Sequence, residues 1–138
     1  MMIRFWERKM EAINRIEVDS KQILANFDEA KKKSGRRVWP VLKANAYGAG
    51  LEQVARILKA RRFEYAVVDS YYEALKIWRV SRQKVLLIGP MLPQNYSKIN
   101  WKRVALMIQS VDQIWALAAL GKKVKIHLKI NTGMNRQG

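Results

Sequence analysis

The chain has 138 residues, 49% of them hydrophobic, which is enough for one core of ordinary size and too few for two. Cysteine is absent, and that excludes a disulfide framework, a thiolate metal site and a cysteine nucleophile. Lysine and arginine number 27 against 11 acidic residues, a net charge of +16, yet the basic residues are spread over every segment without the interleaved aromatics of a nucleic-acid surface.

The opening stretch from Met1 to Met10 mixes Arg4, Glu7, Arg8 and Lys9 with scattered apolar residues and offers no apolar core for a secretion signal. No run approaches the roughly 18 apolar residues of a membrane span. The chain therefore reads as cytoplasmic, with no membrane and no nucleic-acid partner. Ile16-Glu17-Val18-Asp19 is a short extended segment, and Asp19 or Ser20 caps a helix running to about Lys33, with Ile23, Leu24, Phe27 and Ala30 on one face. The dense basic clusters, Lys31-Lys32-Lys33 and Arg36-Arg37, fall where that helix ends at Ser34-Gly35, and cations there complement the helix dipole.

A strand is expected from Val38 to Lys43, then a glycine-bearing turn and a helix from Leu51 to about Lys59 burying Leu51, Val54, Ala55 and Leu58. A strand at Tyr65–Asp69, a helix at about Ser70–Arg79 and a strand at Lys84–Gly89 follow. Pro90-Met91-Leu92-Pro93 is loop, because two prolines there cannot serve a ladder. A strand at Arg103–Gln109, a helix at about Val111–Leu120 and a strand at Lys123–Ile130 complete the chain. Strand ends near Lys43, Asp69, Gly89, Gln109 and Ile130 recur about every 20 to 26 residues, the length of a β-α unit with tight loops.

Two α/β architectures accommodate five such units: an open doubly wound sheet, or the first five units of a (β/α)8 barrel, which when closed needs about 250 residues. The last strand alternates, with Val124, Ile126, Leu128 and Ile130 on one face and Lys125, His127 and Lys129 on the other. A central strand of an open sheet is apolar on both faces, whereas a barrel strand can aim polar groups into a lumen. The alternation favours the barrel.

Lys43 stands at the C-terminal end of the first strand, in Val41-Leu42-Lys43-Ala44-Asn45-Ala46. Apolar surroundings favour the neutral amine, which can attack an aldehyde. Equally, a lysine there can snorkel past the strand end to water, and local composition leaves both readings open.

The longer string Val41-Leu42-Lys43-Ala44-Asn45-Ala46-Tyr47-Gly48-Ala49-Gly50 resembles the cofactor-lysine signature of the alanine racemase family. Lys129-Ile130-Asn131-Thr132-Gly133-Met134-Asn135-Arg136-Gln137-Gly138 resembles its second signature, and Glu17-Val18-Asp19 with Ile23-Leu24-Ala25-Asn26 its opening segment. The resemblance spans about Asn14 to Gly138. It implies a (β/α)8 barrel that binds pyridoxal 5'-phosphate, of which residues 1–138 are a part, followed in the family by a β domain that is absent here. By the same resemblance Lys43 holds the cofactor covalently and is one of two acid/base groups. Tyr47 helps hold the phosphate, Arg136 lies beside the cofactor ring and the substrate carboxylate, and Lys129 supports Arg136. No metal is implied.

The family's opposite-face acid/base is a tyrosine from far downstream, supplied by the partner subunit of a homodimer. No residue here matches it, so the implied activity, interconversion of L- and D-alanine for cell-wall peptidoglycan, is expected to be absent from the chain alone. A racemase for another amino acid such as serine, or a basic binding module without catalysis, are the alternatives. Ala49 stands where the first signature usually has histidine, and Asn135 and Gln137 flank Arg136 where the second usually has glycine and leucine. Asparagine is the residue after glycine that best tolerates a positive φ, so the turn at Asn135 is expected to persist with some strain. His127, the only histidine, reads as a structural group facing the lumen.

Overall fold

Asp19 starts the first helix: its carboxylate accepts the N–H groups of Lys21 at 2.8 Å and Gln22 at 3.2 Å, and α1 (Ser20–Ser34) follows. The computed structural model describes residues 16–138, so the opening stretch read above for a leader lies outside the described residues. Gly35, in the left-handed region at φ 58°, ends α1 with Lys31, Lys32 and Lys33 in its last turn. Phe27 is the buried residue of α1, its ring 5.7 Å from that of Phe63; Ala30, expected on the same face, is exposed.

Beside Phe27, both Asp28 oxygens accept from the Arg61 guanidinium, at 2.7 and 2.6 Å. This fork holds the Asp28 carboxyl below its ordinary range. A carboxylate whose folded value is depressed stabilises docking above the ordinary carboxylate range and loses it as pH falls through the depressed value. Protection factors of the α1 amides, which allow for the intrinsic pH dependence of exchange, are therefore expected to fall on acidification ahead of those of the sheet. Asp28→Asn should remove that pH dependence; an identical pH profile in the variant would show that the pair does not tether α1.

The sheet contains β1 (Tyr65–Val68), β2 (Lys84–Leu87), β3 (Val104–Ile108) and β4 (Lys125–Leu128), all parallel and in sequential order. Beside β1 runs the first expected strand, shorter than the predicted Val38–Lys43: Leu42 N–H donates to Val67 O at 2.8 Å and Val67 N–H to Pro40 O at 2.9 Å. Pro40 has no N–H to extend this ladder, and at Ala44 the backbone enters the left-handed region, so pairing stops on both sides. Helices α3 (Leu51–Leu58), α4 (Tyr71–Val80) and α5 (Val111–Ala118) alternate with the strands, and a 3-10 turn at Pro93–Lys98 follows the proline loop.

Alternate strand residues fill two cores, as a period of two requires. Ala66, Val68, Val85, Leu87, Val104, Leu106 and Ile108 pack outward with the α3 stripe Leu51, Val54, Ala55 and Leu58, all four buried as expected, and with Ala74 and Ile77 of α4. Tyr65, Val67, Leu86 and Ala105 pack inward with Trp39 and Ile88. His127 joins this inner set, its ring centroid 5.3 Å from Trp39 and 5.8 Å from Tyr65.

That contact decides between the two architectures. Four strand-to-strand steps separate the Trp39 segment from β4, about 19 Å along a flat sheet at ~4.8 Å per step. Rings 5.3 Å apart therefore require the sheet to curl strongly about an inner face. A doubly wound sheet would also reverse its strand order, and this one does not. The fold is the first five β-α units of a (β/α)8-type barrel. The outward face of β4, predicted apolar, is uncovered: Leu128 and Ile130 are each 65% exposed, and Trp115 on α5 is 70% exposed.

Candidate active site

At the C-terminal rim of this arc the chain does something costly immediately after Lys43. Ala44, Asn45, Ala46 and Tyr47 all lie in the left-handed helical region, with φ between 53° and 56°, inside the short turn α2 (Lys43–Tyr47). Side chains with a Cβ resist this conformation by roughly 1–2 kcal/mol per residue, and runs of it are rare. Hydrogen bonds from every side hold the turn. Ala46 N–H donates to Leu42 O at 2.9 Å, Gly50 N–H to Asn45 O at 2.9 Å, and Leu51 N–H to the Asn45 side-chain oxygen at 2.9 Å, which ties the turn to the start of α3. Gly48 and Gly50, at φ 92° and 93°, let the chain leave the turn.

Ala44 N–H is taken by a residue 29 positions away, Glu73 of α4, whose Oε1 accepts it at 2.8 Å. The second Glu73 oxygen accepts Asp69 N–H at 2.8 Å and Ser70 N–H at 3.2 Å, while Ser70 Oγ accepts Glu73 N–H at 3.2 Å. Ser70 and Glu73 form a capping box, so the Ser-x-x-Glu spacing could have identified Glu73 as an N-terminal helix residue. Nothing local in the sequence points from Glu73 to Ala44.

The half-buried Lys43 lines a cavity of about 330 Å³ together with Lys129 and Arg136, Asp69 at the end of β1, Ile88, Pro90, Met107 and Gln137. The turn expected around Asn135 is present: Asn135 has φ 54°, and the Asn131 side-chain oxygen accepts the N–H groups of Gly133 and Asn135 at 3.1 and 3.0 Å. This Asx-type turn aims Arg136 back at the rim. Three cations and one carboxylate thus face a single cavity, at the end of the strands where barrel enzymes assemble their sites. Asp69 lies outside both signatures, and Gln137, noted above only as a departure from the second, lines the cavity as well. Tyr47 is not among the lining residues and is 69% exposed. His127 sits deeper in the lumen, as expected for a structural group.

Known proteins resemble this chain over most of its length. Residues 18–138 match the family described as "Alanine racemase, N-terminal domain". This chain belongs to that family.

The alanine racemase of Staphylococcus carnosus (strain TM300) is 34% identical over 132 residues, which cover 89% of this chain and 34% of that protein. "Alanine racemase 2" of Caldanaerobacter subterraneus subsp. tengcongensis is 34% identical over 136 residues, covering 90% and 34%. Among solved structures, alanine racemase from Oenococcus oeni superimposes with a TM-score of 0.79 at 28% identity, covering 88% of this chain and 36% of that one. The biosynthetic alanine racemase from Pseudomonas aeruginosa gives 0.77 at 30%, covering 88% and 35%. The chain spans about a third of the length of these relatives. Within the alanine racemase family, then, it corresponds to the segment that carries Lys43 at one end of the arc and Arg136 at the other.

Proposed function

We propose that this chain is the cofactor-binding barrel portion of a pyridoxal-phosphate-dependent enzyme that interconverts L- and D-alanine, supplying D-alanine for peptidoglycan in the cytoplasm. The observation that carries this reading is the single cavity shared by Lys43, Lys129 and Arg136. The donor set fits the cofactor: an amine for its aldehyde, and a guanidinium for its phenolate and for a substrate carboxylate. A volume of about 330 Å³ also suits a small ring and a small amino acid.

Bound there, pyridoxal phosphate supplies an electron-accepting ring that acidifies the Cα proton of an attached amino acid. The chain's own residues do the remaining work. Lys43 takes that proton and returns it on one face. Arg136 presents a planar fork to the phenolic oxygen and the substrate carboxylate, and Lys129, which lines the same cavity, supports it; this last role rests on the signature. Tyr47, exposed in the same turn, would help hold the phosphate; this role rests on the signature alone. The second face requires an acid/base from a partner subunit, so a homodimer of a longer chain is part of the proposal, together with a following β domain.

Incubating the protein with pyridoxal phosphate and L-alanine in deuterated water tests this reading. Deuterium should enter at Cα with configuration retained, since Lys43 serves one face. Arg136→Lys should keep the covalent cofactor but slow exchange by about 10- to 100-fold, because one ammonium cannot reproduce a bidentate fork. No exchange with cofactor fully loaded on Lys43 would overturn the reading.

A further inference from the structure

The Glu73 carboxylate reaches further than a helix cap needs to. A capping box uses one carboxylate oxygen, here the one that accepts Ser70 N–H, and leaves the other for water. In this protein the other oxygen leaves α4 and takes Ala44 N–H, the first amide after Lys43. The same carboxylate also takes Asp69 N–H, so one half-buried side chain joins two walls of the cavity, the lysine turn and the end of β1. All three of these bonds come from backbone N–H groups, which makes the link rigid. Ala44 is also the first residue of the left-handed run, whose φ/ψ are disfavoured for any residue with a Cβ. Its N–H has no acceptor within the turn itself and needs an external one.

We infer that Glu73 is a positioning residue for Lys43: by holding Ala44 N–H to the end of β1 and the start of α4, it keeps the left-handed turn formed and so fixes where the Lys43 amine points. The value of that position to catalysis rests on the reading of Lys43 given above; the positioning itself does not. Glu73→Gln keeps the shape but offers a single acceptor oxygen, which the two donors Asp69 and Ser70 hold against one, so Ala44 N–H loses its partner. Ser70→Ala removes the hydroxyl half of the cap and leaves both carboxylate oxygens in place.

Two measurements that need no cofactor test the inference on the protein itself. The first is amide hydrogen exchange at Ala44. The second is the rate of competitive acetylation of Lys43 at one fixed pH, with the exposed Lys32 and Lys102 as internal standards. Glu73→Gln should speed Ala44 exchange about tenfold or more, the loss of a hydrogen bond to a charged acceptor. It should also change the acetylation rate of Lys43 relative to the standards, which stay as they were. Ser70→Ala should lower thermal stability yet leave Ala44 and Lys43 unchanged. Should Glu73→Gln fail to fold, Glu73→Asp, one methylene shorter, is scored in the same way. An unaltered Lys43 acetylation rate in the Glu73 variant, or the same alteration in Ser70→Ala, overturns the inference. If Lys43 does not capture pyridoxal phosphate but its labelling still responds to Glu73, the positioning stands and the cofactor reading falls. Capture at Lys43 that is indifferent to Glu73 gives the converse.

Discussion

Lys43→Ala should abolish covalent capture of pyridoxal phosphate at the barrel rim and, with it, Cα exchange on L-alanine. The competitor to consider is Lys129, which lines the same cavity. The two amines are differently presented. Lys43 opens a turn whose backbone is held by Glu73, Asn45 and Leu42. Lys129 follows β4, whose outward face is uncovered, and leads into the mostly exposed segment 130–138. Pre-organisation favours the first. Borohydride reduction followed by peptide mapping should place the label on Lys43 in the native chain and find none at Lys129 in the variant. The exchange rate should fall by about 10²- to 10⁴-fold, the usual worth of a positioned acid/base. Label transferred to Lys129 with exchange retained would reassign the catalytic amine.

Gly89→Ala should be the most destabilising single methyl that can be added near the site. A Cβ built on Gly89 lies 2.2 Å from the backbone oxygen of Asp69 and 2.9 Å from its Cγ. Backbone cannot swing aside as a flexible side chain can, and Gly89 N–H already donates to that same oxygen at 3.1 Å. The ends of β1 and β2 must part, which breaks this bond and strains Ile88 N–H to Val68 O. Overpacking of this kind costs about 1–3 kcal/mol, and against rigid backbone the upper end is expected. For a domain of this size that corresponds to a fall in Tm of roughly 10 °C. Asp69, Ile88 and Pro90 also line the cavity, so cofactor capture should weaken in the same variant. An unchanged melting curve would show that the strand ends yield freely.

Much of the fold was legible because it rests on period and punctuation. The α3 stripe, the cap at Asp19, the stop at Gly35, the proline loop and the lumen-facing side of β4 all follow from local chemistry, and each is found. Strand ends are one to two residues shorter than expected at β2, β3 and β4, since pairing needs a partner and not only a pattern. In the site, the convergence of Lys43, Lys129 and Arg136 follows from two signatures at strand ends. The left-handed run does not, because Ala44, Ala46 and Tyr47 have no intrinsic preference for it; tertiary hydrogen bonds impose it. Tyr47 shows the same gap, as proximity to Lys43 in sequence places it on the rim without turning it inward.

The three rings of Trp39, Tyr65 and His127 act as a wedge at the inner side of the arc. Trp39 belongs to the segment that ends in Lys43, and His127 to the strand that ends near Lys129 and Arg136. Each strand is therefore a lever, with its fulcrum at the rings and its working tip at the rim. A thinner wedge lets the levers close and a thicker one spreads them, so the gap between amine and guanidinium is set about two pleats below the chemistry. Ring size in the lumen is the gauge to which the rim is cut.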